Sequence, residues 1–189
     1  MKTRTTVIPL LAIAVMIPAL VFSFNTTDDK LQTNEKLITS VTFDENEMNL
    51  STLTQGSELV IEGKILTSNV FTKKVHDGQV FPDIYTKHQI QIIEVLKGET
   101  NKKVISVVTH GGELDDRVSK THAIPIKDRD TVILFLEENG AHYTGAGAYN
   151  PIAPIQGVFL IEDSKAKSSI FSEMNVSDMR NAVSLAQQS

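Results

Sequence analysis

Five histidines, at positions 76, 88, 110, 122 and 142, are the side chains of this sequence best suited to acid–base or metal chemistry. Imidazole titrates near neutrality, and its ring nitrogens accept copper or zinc. Their spacing contains no His-x-His, His-x-x-x-His or His-Glu-x-x-His, so a metal centre would have to be assembled by the fold from distant positions. The densest set of donors is His110, Glu113, Asp115, Asp116 and His122, to which His88 or His142 would add a ligand. It admits Cu or Zn, although the same composition describes a solvated acidic loop, and the first expectation is no cofactor at all.

Covalent and acid–base catalysis find less support. No Gly-x-Ser-x-Gly elbow is present to strain a serine into a nucleophile. The carboxylate pairs Asp115-Asp116 and Glu137-Glu138 are neighbours in sequence, which on a strand aims them at opposite faces, whereas a glycosidase needs both in one cleft. Gly145-Ala146-Gly147 lacks the Gly-Lys-Ser/Thr ending of a phosphate loop and reads as a tight turn. Phe71, Phe81, Tyr85, Tyr143 and Tyr149 offer stacking surface, but the chain has few aromatics and most are expected in the core. A non-enzymatic protein is the reading these absences favour.

Composition narrows the class further. The 189 residues carry 18 Lys+Arg against 23 Asp+Glu, a formal charge of -5, with no basic block to neutralise a run of phosphates, so nucleic-acid binding is not expected. Cysteine and tryptophan are absent, which excludes disulfides, thiol catalysis and Cys-built zinc sites. Lys2 and Arg4 precede an uncharged apolar stretch of 16 residues, Val7 to Phe22, which predicts an export signal cut after Ser23. A retained membrane anchor is the alternative; the short length and the helix-disturbing Pro9 and Pro18 weigh against it. Either way the domain is expected outside the cytoplasmic membrane, secreted or held at the cell surface, and touching the membrane only through residues 1–23. Without Lys2 and Arg4 the remaining 16 basic and 23 acidic residues give a charge of -7. Sequons at Asn25, Asn49 and Asn175 are candidate glycosylation sites.

The elements that must position these residues are mostly β. Residues 24–45 read as a polar spacer and 46–189 as one domain, opening with a short helix capped by Asn49 and ending near Gly56. Apolar alternation then predicts strands over Glu58–Leu66, Thr86–Val95, Lys103–Thr109 and Asp130–Glu138, with short ones at His142–Gly145 and Gly157–Ile161. Val132 to Leu136 is continuously apolar, as a strand covered on both faces requires. Gly63 permits a bulge, while Gly98, Gly111 and Gly112 mark turns. Ser177–Gln188 predicts a terminal helix with Ser177 as N-cap. Hairpin-sized connections point to a small antiparallel OB-like barrel of five or six strands, with long rim inserts at Ser68–Asp83 and Glu113–Lys127.

The order of these motifs, SELVIEGKI, then Glu94-Val-Leu-Lys-Gly-Glu99, then a valine strand into Gly111-Gly112, then VILFL, then Gly157-Val-Phe159, resembles a group of exported bacterial and archaeal proteins over residues 48–165. That resemblance implies a five-stranded OB-type barrel, distantly similar to netrin and tissue-inhibitor-of-metalloproteinase modules, and an export route. It implies no catalytic residue. Tissue inhibitors act through a disulfide-anchored amino-terminal Cys that this chain lacks, so protease inhibition does not carry over. The expected function is a binding module for an extracellular protein or small ligand, with a Cu- or Zn-dependent protein or enzyme as the alternative.

Overall fold

A computed structural model describes residues 37–40, 48–74, 83–138 and 147–188. The fold is mostly β with two helices. Its elements are β1 (Leu37–Ser40), α1 (Leu50–Gly56), β2 (Leu59–Lys73), β3 (Asp83–Lys97), β4 (Val104–His110), β5 (Gly112–Glu113), β6 (Arg117–Lys120), β7 (Thr131–Glu138), β8 (Ala148–Pro151), β9 (Val158–Glu162), β10 (Lys165–Lys167), β11 (Met174–Asn175) and α2 (Val176–Ala186). Among the described residues no helix is long and apolar enough to cross a membrane. The proposed signal lies outside the described residues, as do the strand expected at His142–Gly145, His76, Asn25, Phe81 and Tyr143.

The sheet departs from the small antiparallel one expected. Eight strands run in the order β11-β10-β9-β7-β2-β3-β4-β8, and a separate three-stranded sheet runs β1-β6-β5. Both are mixed, because β4 pairs β8 in parallel and β1 pairs β6 in parallel. β7 pairs β2 on one edge, while its other edge is shared by β9, along Thr131–Leu134, and β8, along Leu136–Glu138. The parallel pairs join elements far apart in sequence, where alternation along one strand carries no signal of direction. β1 falls inside the stretch read as a spacer, and α2 takes Asn175 rather than Ser177 as its N-cap.

The strand patterns explain two cores rather than one. On β7, Val132, Leu134 and Leu136 enter a core with Ile61, Ile65, Ile90 and Val107, while Ile133 and Phe135 enter a second with Leu53, Phe159, Met179 and Val183. Successive side chains leave opposite faces of a strand, so a continuous apolar run serves both. The first core is built from β2, β3, β4, β7, β8 and β9. The second lies between the sheet's other face and the helices.

Turn chemistry is specific where it matters. The Lys97 ammonium donates to the carbonyls of Thr54, Gln55 and Ser57 at 2.6, 3.1 and 2.6 Å, closing the C-terminal end of α1. Gly98 follows at φ 81°, where a Cβ would stand 2.3 Å from the Glu58 carbonyl oxygen. The Val-Leu-Lys-Gly motif therefore locks a helix end to a hairpin end. Gly63 sits at a register shift between β2 and β3, and a Cβ there would meet Ile90 at 2.6 Å. Three such shifts interrupt the β2–β3 ladder, and irregularities of this kind bend a strand and raise its twist.

Candidate functional site

The face of β3 that carries Ile90 and Ile92 carries polar side chains before them. Ile90 is buried in the first core, but the preceding positions on that face are His88 and Thr86. Register sets Ser68 of β2 and Val107 of β4 opposite His88. The result is a hydroxyl–imidazole–hydroxyl chain across three strands. Ser68 Oγ lies 2.9 Å from His88 Nδ1, and Thr109 Oγ1 lies 3.1 Å from His88 Nε2. A neutral imidazole donates through one nitrogen and accepts through the other, so one hydroxyl accepts while the other donates. Burial pushes the His88 pKa down to about 4, against the opposing pull of the Asp128 carboxylate, and the ring is neutral at neutral pH.

The insert after β4 forms the facing wall. Gly111, at φ 90°, lies so close to Ser119 that a Cβ would stand 2.9 Å from its carbonyl oxygen, and the Gly111 carbonyl accepts a 2.7 Å bond from Thr86 Oγ1. Gly112 then packs so near the sheet that a Cβ would lie 2.8 Å from Thr86 Oγ1 and 2.9 Å from Val70. From there β5 and β6 turn back, and Ile124 and Ile126 settle against the first core. Between wall and sheet lies a cleft of about 730 Å³. The sheet lines it with Ser68, Thr86, His88 and Thr109; the insert adds Ser119, Lys120, Lys127 and Asp128.

Of the expected donor set, His110 and Glu113 line this cleft. His110 is half-buried at the end of β4, its ring 4.7 Å from that of Tyr85, and burial lowers its pKa against the pull of Asp83. Asp115, Asp116 and His122 are exposed and outside the cleft lining. Asp116 instead stands 3.5 Å from Arg117 Nε. Among the described residues no group of three or more His, Cys, Asp or Glu side chains is arranged to hold a metal ion. Ser68, Thr86 and Thr109 went unnoticed in the sequence. The signal for each is a small hydroxyl two residues from a β-branched aliphatic side chain on the same strand, Val70, Ile84 and Val107.

On the opposite face of the same three strands Tyr85 stacks on Phe71, at 5.6 Å, and meets the His110 ring at a tilt of 50°. Glu137, cross-strand from Asn150, has its pKa raised by burial and by Glu58. No protein-family model matches the chain, and no curated protein matches it.

Proposed function

We propose that this protein is an exported, non-catalytic binding module with an OB-like barrel, and that its ligand occupies the cleft above His88. The barrel reading is supported by the succession β2, β3, β4, β8, β7, which returns to β2 through hydrogen-bonded pairs, with only β4–β8 parallel. The export reading is supported by Lys2, Arg4 and the apolar stretch to Phe22.

One observation carries the binding reading: a cleft of about 730 Å³ walled by a long insert, in which the sheet sets Ser68, Thr86, His88 and Thr109 among apolar side chains such as Val70 and Val158. Ligand sites combine enclosed volume with a few fixed polar groups. Both ring nitrogens of His88 are already engaged by hydroxyls, and its depressed pKa makes it a weak base. That arrangement orients donors and acceptors for recognition better than it serves proton abstraction.

The test is thermal unfolding of the protein across a panel of small metabolites, repeated with Thr121→Trp, which adds bulk at the cleft lining. A compound that raises the melting temperature of the parent but not of T121W is the expected outcome. Turnover of any panel member, or shifts that survive in T121W, would overturn the reading. Export is checked by sequencing the amino terminus of protein from the extracytoplasmic fraction, expected to begin at Phe24.

A further inference from the structure

β2 runs on past β7. Their ladder ends at Lys64 and Thr131, followed by two further bonds, from Ile65 N to the Asp130 carbonyl and from Arg129 N to the Ile65 carbonyl. There the chain leading into β7 leaves β2 in a tight turn: Asp130 N donates to the Lys127 carbonyl, Lys127 N donates to Asp130 Oδ2, and Arg129 takes φ 75°. β2 nevertheless continues against β3 as far as Lys73, so from Thr67 to Thr72 it has a strand on one side only, among the described residues. The far side of β3 fixes the direction of each backbone group there. Gly111 N donates to the Ile84 carbonyl and Ile92 N to the Lys103 carbonyl, so Ile84, Thr86, His88, Ile90 and Ile92 turn their main chain toward β4. Tyr85, Lys87 and Gln89 then turn theirs to Phe71, Asn69 and Thr67 of β2. Ser68, Val70 and Thr72 are left with N–H and C=O directed away from β3, one donor–acceptor pair about every 6.8 Å. Among the described residues no backbone hydrogen bond reaches them from that side. Exposed edges are commonly guarded by Lys or Pro, and Thr67–Thr72 contains neither. Ser68 and Val70 also line the cleft.

We infer that this edge is a strand-addition site and that the ligand of the cleft is an extended polypeptide, which pairs with Ser68, Val70 and Thr72 and lays alternate side chains along the cleft. The inference rests on the reading of the cleft as the ligand site and names the class of its ligand. Three donor–acceptor pairs at strand spacing match an extended backbone, whose main-chain bonds supply affinity while alternate side chains supply specificity. A partner residue directly opposite Ser68 or Val70 sends its side chain to the same face of the sheet, the one that borders the cleft. Glu113 and Asp128 offset Lys120 and Lys127 in the lining, so the cleft favours uncharged side chains. Thr and Val suit positions opposite Ser68 and Val70, through a hydroxyl bond and a β-branched pair.

The experiment is amide hydrogen exchange read by NMR on the ¹⁵N-labelled protein as isolated from its cells, alone and with the blocked peptide acetyl-Lys-Thr-Ser-Val-Ser-Thr-Lys-amide. In the free protein Ser68, Val70 and Thr72 should exchange fast while Asn69 and Phe71 are protected. The peptide should protect the first three saturably and shift the amides of Ser119 and Thr121 in the cleft lining. N-methylating its Val and both Thr, the residues that form the pairs, should weaken binding roughly tenfold or more, whereas N-methylating both Ser leaves it intact. Thr72→Pro removes one edge N–H at an exposed position and should weaken binding about threefold, with slow exchange at Asn69 showing that the hairpin persists. Protection of Ser68, Val70 and Thr72 without peptide, at any protein concentration, would overturn the proposal, because the edge would then be covered by the chain itself or by a second copy. Binding that survives N-methylation of the Val and both Thr would overturn it too, as would protection that leaves Ser119 and Thr121 unmoved. If no amide responds to the peptide, the strand is overturned, and the metabolite panel with T121W decides the cleft separately.

Discussion

His88 is the polar residue on which the inner face of β3 turns. Burial disfavours its charged form, so the folded pKa of about 4 lies below the 6.5 of an exposed histidine. A depressed folded pKa means that the unfolded chain binds the proton more readily. The stability this neutral ring contributes is therefore complete above about pH 6.5 and is withdrawn as pH falls through 4. The loss amounts to about 3 kcal/mol, and His110 shifts in the same direction. Urea unfolding at pH 7, 5.5 and 4 measures it, and His88→Gln should remove most of the slope. An unchanged slope in H88Q would assign the pH dependence elsewhere. The histidine was visible in the sequence among Ile90 and Ile92; its two hydroxyl partners, 20 and 21 residues away, were not.

β2 and β3 are longer than their apolar patterns because the hydrogen-bonded ladder between them continues where alternation stops. Past Ile65 and before Ile90 the inward positions of β2 and β3 are Ser68, Val70, Thr86 and His88, so the hairpin reads as loop although it pairs through Lys73 and Asp83. Beyond the second core, one long side chain adds polar contacts at each helix, Lys97 at α1 and Arg180 at α2. Lys97→Met would leave the last carbonyls of α1 without their ammonium and is expected to cost roughly 1–3 kcal/mol in urea unfolding; a loss below a few tenths would show that water replaces it. Arg180 ties α2 to the sheet, with Nη2 at 2.6 Å from Glu62 and 3.0 Å from Glu94. Glu62 is nearly buried, so Arg180→Met strands a carboxylate at the base of α2. We expect faster amide hydrogen exchange across Val176–Ala186 in R180M, with exchange of β7 unchanged. Equal acceleration of both would mean that α2 and the sheet open together.

The molecule joins two cores through β7, and its cleft exists because an insert closes over one end of the first core. Periodicity alone was enough for the mostly β class, for both helices and for a β7 buried on both faces, because these are local consequences of side-chain alternation and capping. Gly98, Gly111 and Gly112 take positive φ, a conformation that glycine adopts without steric cost. The parallel β4–β8 pair, the three partners of β7, the pairing of β1 with β6 and the dispersal of the His110–His122 donors arise from contacts between distant segments. The same holds for the site. Asp115, Asp116 and His122 stand near His110 in sequence yet are exposed, while Ser68, His88 and Thr109, on three strands, meet at hydrogen-bond distance. Residue type and spacing determine what a segment is; register across the sheet determines which side chains meet, and register is a property of the packed chain rather than of any segment within it.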